Sequence, residues 1–277
     1  MIGWLIYSAV DVEKNKYYIQ MYKDKFKEHF IEIKLVIVEE LENMEQYVKC
    51  NKVDFAINRS RNHIMGELLE QKGVRVFNSS SVTRIANNKG ITYEFLKDVV
   101  PFLAVKYGNE IIESKIENKG FEYPYVIKSC SGHGGSQVFL VNNSKEEEQA
   151  IKVMNGQEYV VQQCCSDLGR DVRVYIIGNK IIKAVLRTST ESFKSNYSLG
   201  GKVQEYTLNN EEKAMVERIV DKLPLDYAGI DFTFHNGKAV FNEIEDAVGA
   251  RMLYQVSDID IVEMYIKHIL EQLSKEW

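Results

Sequence analysis

Proline is scarce in this chain of 277 residues, with only three, and no segment is low in complexity. That excludes a Pro-rich spacer and leaves no composition-marked linker between lobes. Cysteine is scarce too. Cys50, Cys130, Cys164 and Cys165 form no CxxC pattern, which argues against a structural zinc site. The adjacent Cys164 and Cys165 are poorly placed to bridge each other, so a reduced, cytoplasmic protein is expected. Positive charge is not in excess: 35 Lys and Arg against 40 Asp and Glu give a net charge of −5, unlike a general nucleic-acid surface. No apolar run approaches the length that crosses a bilayer. The opening MIGWLIYSAV lacks a basic start and runs into DVEKNK, so it reads as a first strand rather than a signal peptide. The five histidines, His29, His63, His133, His235 and His268, sit in no Ser/His/Asp or Cys/His arrangement. No internal repeat is visible. What remains is ordinary globular composition, 45% hydrophobic and 27% charged, long enough for two or three cooperating lobes.

The first third alternates strand and helix. Strands are expected at 3–9, 33–38, 53–58 and 74–77, with a helix at 13–30 and another at 60–73 opened by an N-cap serine and closed by glycine. This alternation implies parallel pairing in an open α/β sheet. Residues 79–98 read as two helices broken near Asn88–Gly90. The middle reads as a small α+β lobe: strands 101–108, 123–130 and 137–141, a loop at 131–136 and a helix at 145–154. The last part is mostly strand, at 158–165, 171–178, 180–188, 227–234 and 238–245, covered by helices 211–223 and 257–273. On the final helix His268 shares a face with Ile261, Met264, Tyr265 and Ile269, and reads as a core or edge histidine. The expected domains are 1–98, 99–156 and 157–277.

The segment FNEIE (241–245) ends a strand by collecting carboxylates. Two unit charges about 4 Å apart repel by roughly 4 kcal/mol at an effective dielectric near 20, so a cation or open water is required there. Period-two alternation puts Glu243 and Glu245 on one face. The preceding strand carries Asp231, and the two form a hairpin. A two-residue Asn236-Gly237 turn pairs Asp231 with Asn242 and sends the glutamates to the opposite face. A three-residue loop, His235 to Gly237, pairs Asp231 with Phe241 and gathers all three acids on one side. A metal site therefore predicts the odd-numbered loop, barring a bulge. Three such carboxylates suit Mg²⁺ or Mn²⁺ alongside substrate phosphates; a solvated acidic strand edge is the alternative.

The loop Ser129 to Ser136 carries three glycines and three serines, with Lys128 at its root. Its backbone N–H groups are free to fold over an anion. It matches neither a Walker A loop nor GxGxxG, and a plain hairpin loop is the other reading. Cations recur downstream: Arg173 shares a strand face with Asp171, Arg187 ends the strand at 180–188, and Lys194 and Asn196 lie in FKSNYSLGG.

In order, NNKG (87–90), YPYVIKS (123–129), the glycine loop, GRDVRVYIIGNKIIKAVLR (169–187), FKSNYSLGG (193–201), AGIDF (228–232) and FNEIE resemble the ATP-grasp carboxylate–amine ligases, RimK-type branch. The resemblance covers about residues 74–250. It implies an ATP-grasp fold behind a Rossmann-like N-terminal lobe. It also implies roles. Lys89 and Lys128 would reach ATP phosphates. Ser131, Gly132, Gly134 and Gly135 would close over the β- and γ-phosphates. Gln162, Gln163, Cys164 and Cys165 would form the hinge that holds adenine. Arg187, Lys194 and Asn196, with Arg173, would face the transferred phosphoryl group. Asp231, Glu243 and Glu245 would hold two Mg²⁺, or Mn²⁺. In this family the last of these positions is usually Asn, and a basic residue usually follows FKSN, where this chain has YSLGG. That departure opens the question of the acid substrate, for which Arg59, Arg173 and Arg251 are candidate clamps. His133 is a further candidate phosphate contact.

The activity so implied makes an acyl phosphate from a carboxylate and ATP, then an amide from an amine, releasing ADP and phosphate. It needs metals and cations but no nucleophilic side chain. The partners implied are small acids and amines, with a peptide or carrier-protein acceptor as an option, no nucleic acid and no membrane. The apolar surface of the first lobe points to a homo-oligomer. A small-molecule kinase and a non-catalytic nucleotide-binding module are the rival readings.

Overall fold

The computed structural model describes residues 1–108, 121–195 and 201–275. Three sheets organise it. The first is parallel, ordered β2-β1-β3-β4, from β1 (Ile2–Tyr7), β2 (Glu32–Ile37), β3 (Phe55–Asn58) and β4 (Arg75–Phe77). Trp4, Leu5, Ile6 and Tyr7 are all buried, as a continuous apolar run requires when both faces of a parallel sheet are covered. Helix α1 (Lys16–Glu28) buries Ile19, Tyr22 and Phe26, three positions on one helical stripe. After α2 (Met44–Cys50), helix α3 (His63–Gln71) starts later than its sequence signal. Asn62 caps it by accepting from Met65 N, while the Ser60 hydroxyl donates to Asn58 Oδ1 instead. The break near Asn88 holds: α4 (Ser80–Ala86) ends and Asn88 caps α5 (Lys89–Leu96).

The middle sheet runs β5-β8-β6-β7, all antiparallel, from β5 (Val105–Tyr107), β6 (Tyr125–Ser129), β7 (Val138–Val141) and β8 (Tyr159–Gln163), with α6 (Ser144–Met154) packed on it. The strand at 159–163, which its place in the chain groups with the last lobe, is thus hydrogen bonded between β5 and β6. The third sheet is antiparallel, ordered β11-β10-β9-β12-β13: β9 (Arg170–Ile177), β10 (Lys180–Thr188), β11 (Lys202–Tyr206), β12 (Tyr227–His235) and β13 (Lys238–Glu245). Helix α7 (Asn210–Lys222) carries a full capping box, Asn209 with Glu212. Two helices close the chain, α8 (Arg251–Val256) and α9 (Ile261–Lys275).

One apolar cluster joins the first and third sheets through Tyr22, Phe26, Tyr175, Tyr227 and Tyr265. The middle sheet has its own small cluster around Tyr125, Ile127, Val141 and Met154. His268 points inward to Asp226, Nε2 to Oδ1 at 2.9 Å, in a structural role. Met264, by contrast, is 39% exposed and off the packed face. Among the described residues no helix is long and apolar enough to cross a membrane.

Candidate active site between the middle and third sheets

The β12–β13 hairpin decides where the acids point. His235 pairs with Lys238 across a two-residue Asn236-Gly237 turn, both residues at positive φ, so the odd-numbered loop does not form. The register is corrected farther along. Phe232 pairs with Phe241, but Asp231 pairs with Glu243, leaving Asn242 as the extra residue of a β-bulge. Gly229 pairs with Glu245. Asp231, Glu243 and Glu245 therefore share a face after all, by a bulge rather than by the turn.

Sharing a face does not make them a cage. Asp231 is fully buried and taken up by arginines: Arg173 Nε donates to Oδ1 (2.7 Å), and Arg173 Nη2 (2.7 Å) and Arg187 Nη2 (2.6 Å) donate to Oδ2. Burial alone would raise this carboxyl; the two guanidiniums outweigh it and hold it at about 2. Arg187 also donates to Asp171 Oδ2 (2.8 Å), and Arg173 Nη1 sits 2.6 Å from Glu245 Oε2. Gly229 leaves room beside the Arg173 stem: a Cβ there would stand 2.8 Å from Val248 Cγ2 and 3.2 Å from Arg173 Cδ. The cation demanded by the acidic strand end is thus a pair of buried arginines. Among the described residues no group of three or more acids, histidines or cysteines is placed to hold a metal. The three expected ligands are thus not gathered around one point, with Asp231 taken up by the two arginines. Glu243 stands apart. It is partly exposed and faces Lys89 Nζ at 3.6 Å, and it fits a divalent ion that takes its other oxygens from phosphates.

Facing these acids, β6 presents Lys128, buried, with Nζ donating to Asn242 Oδ1 at 2.8 Å. Burial pushes its ammonium down to about 8, against the pull of Glu243. The glycine loop leaves β6, with Gly134 (φ +64°) and Gly135 (φ +77°) in the left-handed region. Two lysines tie it down: Lys89 Nζ donates to Gly132 O (2.7 Å) and Lys194 Nζ to Gly135 O (2.6 Å). At the other end Gln162 donates to Tyr93 Oη (3.1 Å), and Gln163 N to Ala104 O (2.9 Å).

A cleft of about 850 Å³ runs between the sheets. Of the residues expected there, Lys89, Lys128, Gly132, Gly134, Gly135, Gln162, Gln163, Cys165, Arg187, Lys194 and Glu243 line it. Ser131 and Cys164 do not line it; nor do Arg173, Asp231 and Glu245. Asn196 lies outside the described residues. The apolar walls Leu103, Val126, Val138 and Leu168, and the polar Asp171 and Asn242, escaped the sequence reading. Alternation along 123–130 puts Val126 and Lys128 on one face, which was a usable signal for Val126.

A second, larger cavity of about 1570 Å³ adjoins the first. Lys89, Gly132, Gly134, Arg187 and Glu243 line both. Its far side is built by the first sheet and by α1 and α8: Asp11, Tyr18, Arg61, Arg251 and Tyr254, with Arg173 and Glu245 from the third sheet and His133 from the loop. Arg59 is absent from it. Its guanidinium is buried, donating to Tyr7 Oη (2.9 Å) and Val248 O (2.7 Å) among the rings of Tyr7, Tyr18 and Tyr227. It braces the wall and is not a clamp for substrate.

A cleft between two antiparallel sheets, under a glycine loop and behind an α/β sheet, is the arrangement of the ATP-grasp class of fold. A D-alanine–D-alanine ligase of Bacillus anthracis in complex with ATP superposes with a TM-score of 0.77 at 16% identity, over 99% of this chain and 98% of that one. The chain belongs to the RimK-like ATP-grasp family, whose model matches residues 94–269, and thereby to the ATP-dependent carboxylate–amine ligases. Among its relatives, the uncharacterized protein MG011 of Mycoplasma genitalium is 32% identical over 269 residues, 96% of this chain and 91% of that protein. A probable alpha-L-glutamate ligase of Haemophilus ducreyi is 24% identical over 206 residues, 72% of this chain and 67% of that protein.

Proposed function

We propose that the protein joins a small carboxylic acid to an amine, at least one of them an amino acid, with ATP as the activating substrate. The observation that carries this reading is the shared wall. A nucleotide in the first cavity and an acid in the second would meet at Lys89, Gly132, Gly134, Arg187 and Glu243. The carboxylate oxygen attacks the γ-phosphorus, ADP leaves, and the acyl phosphate is attacked by the amine, which loses a proton as phosphate departs.

The residues divide the work by position. Gly132 to Gly135 offer backbone N–H groups to the phosphates. Lys89 and Lys194, now hydrogen bonded to loop carbonyls, are the cations a phosphate chain would recruit. Lys128 lies deeper, at the cleft floor, and Gln162, Gln163 and Cys165 border the end where Leu103, Val126 and Val138 offer an apolar slot for a base. Arg187 is held by Asp171 and Asp231 with its fork at the shared wall, where charge spreads over phosphoryl oxygens. Arg173 positions Arg187's partner Asp231. Glu243, with Glu245 behind it, would hold Mg²⁺ or Mn²⁺, which neutralises charge on the phosphates; one ion fits the acids more readily than two. The first lobe would end near residue 98 and the middle lobe, which includes β8, near residue 163 rather than 156, and four free cysteines support a cytoplasmic home.

The test is phosphate release from ATP across pairs of amino acids, with hydroxylamine present to trap acyl phosphate as hydroxamate. Hydroxamate and an amide product are expected, and Glu243→Ala should lower the rate at least a hundredfold. A stable phosphorylated alcohol, or no release with any pair, would overturn the proposal.

A further inference from the structure

In the parallel sheet, order β2-β1-β3-β4, the chain leaves β1 toward one edge and β3 toward the other. The carboxyl ends of β1 and β3 therefore flank the switch point where open α/β sheets bind ligands. Here the short helical turn after β1, Ala9–Val12, supplies Asp11 and the loop after β3 supplies Arg61, and both line the second cavity. We propose that Asp11 and Arg61 together read a free amino acid, Asp11 taking its ammonium and Arg61 its carboxylate. This deepens the ligase reading and rests on it for the place of the amino acid in the reaction.

Three observations carry the proposal. First, the two side chains form an ion pair, with exposures of 12% and 21%, so both are largely withdrawn from water yet reachable from the cavity. Second, Arg61 holds a left-handed backbone (φ +62°) without being glycine. Such a residue persists only where its surroundings over-determine it. They do so here: Asn58 Oδ1 accepts from Ser60 N (3.2 Å) and Ser60 Oγ (2.7 Å), and Asn58 Nδ2 donates to Asn62 O (2.9 Å). Third, Asp11 is fixed on its own turn, accepting from Ser8 Oγ (3.1 Å), while Asn15 Nδ2 donates to Asp11 O (2.7 Å). The cavity's other charges are differently placed. Arg173, Arg187 and Glu245 are committed to the network around Asp231, Lys89 is held by Gly132 O and Glu243, and Lys14 and Arg251 are exposed.

A preset pair of opposite charges suits a zwitterion. Inserting one exchanges a single protein–protein ion pair for two protein–ligand pairs and leaves no charge uncompensated. A plain carboxylic acid or a plain amine would satisfy one side chain and strand the other, which costs more than the contact gains.

Saturation-transfer NMR tests this on the wild-type protein with ADP and Mg²⁺, using an equimolar mixture of the twenty amino acids and a second mixture of their N-acetyl amides. Signal from at least one free amino acid, and none from the blocked mixture, is expected. Asp11→Asn and Arg61→Ala should each weaken that binding at least tenfold while ADP affinity stays within twofold. The exchange Asp11→Arg with Arg61→Asp separates recognition from simple stapling of two segments: it should restore the melting temperature and not the amino-acid affinity. Absence of signal from every free amino acid, equal signal from the blocked mixture, or wild-type affinity in the exchanged protein would overturn the proposal. Amino-acid binding without ATP turnover would sink the ligase reading alone; turnover with unperturbed binding in the variants would sink this one alone.

Discussion

Asp231→Asn distinguishes two accounts of the acidic strand end by the sign of its effect. If Asp231 served chiefly to hold metal beside Glu243 and Glu245, neutralising it would relieve repulsion and stabilise the metal-free protein. The structure argues the reverse. Three charge-assisted hydrogen bonds from Arg173 and Arg187 end on this carboxylate, which is wholly buried. Breaking one member out of a buried ionic group costs about 3–5 kcal/mol. At roughly 2–4 °C per kcal/mol for a chain of this size, melting should fall by about 6–20 °C in EDTA at pH 7. The effect must also depend on pH. The carboxyl moves from 3.8 to about 2 on folding, a little under two pH units, or about 2–3 kcal/mol. On acidification the unfolded chain takes up this proton first, near its ordinary value. That share of stability is therefore complete above about pH 5, shrinks as pH falls, and is gone below the folded value. The gap between wild type and Asp231→Asn should narrow over the same interval in urea titrations. A variant that melts at or above the wild-type temperature without metal would refute the arginine network as the reason for the buried acid.

Two further tests follow from the cleft. Lys128, lowered to about 8 by burial, loses its proton in the free protein above that pH, while bound phosphates favour the charged form. ADP affinity, measured by calorimetry, should then decline above pH 8 toward tenfold per unit in wild type and stay level in Lys128→Arg; parallel profiles would refute the placement. Cys165 lines the cleft, and its thiol is lowered to about 6 by the hydrogen bond from Cys164, against its burial. Buried Cys130 is raised. Iodoacetamide should therefore alkylate Cys165 before Cys130, and ADP should slow it at least tenfold by peptide mass mapping; equal rates with and without ADP would remove Cys165 from the nucleotide site.

Most of the fold was legible because its signals are local. Alternating strands and helices with two-sided burial in β1 specify a parallel sheet, and the caps at Ser79 and Asn88 mark helices within a few residues. Two places escaped. Residues 159–163 follow the middle lobe in sequence and precede a run of strands, and nothing in YVVQQ says which neighbours it will hydrogen bond. The helix expected from Ser60 starts at His63 because Asn58, one strand end earlier, claims the serine. Both outcomes depend on partners distant in sequence or on a competition between two adequate caps.

The site was legible as an inventory and not as an arrangement. Alternation correctly placed Arg173 with Asp171, and Glu243 with Glu245, on common faces. Which face meets which was decided by one extra residue, Asn242, whose bulge overrides the two-residue turn. No turn propensity foretells a bulge four residues beyond the start of the strand; the bulged Asn242 accepts from Lys128 on another sheet, a partner the turn does not see. The same logic explains why the acids read from sequence as a three-ligand set. Like charges gathered at a strand end demand compensation, and sequence alone does not say whether an ion or a protein cation will supply it. Arg173 answers through Gly229, the gap in β12 across which its stem lies. Asp231 therefore orients Arg187, through which, on the proposed function, it would act on phosphoryl transfer, and Glu243 is left as the acid with room for an ion.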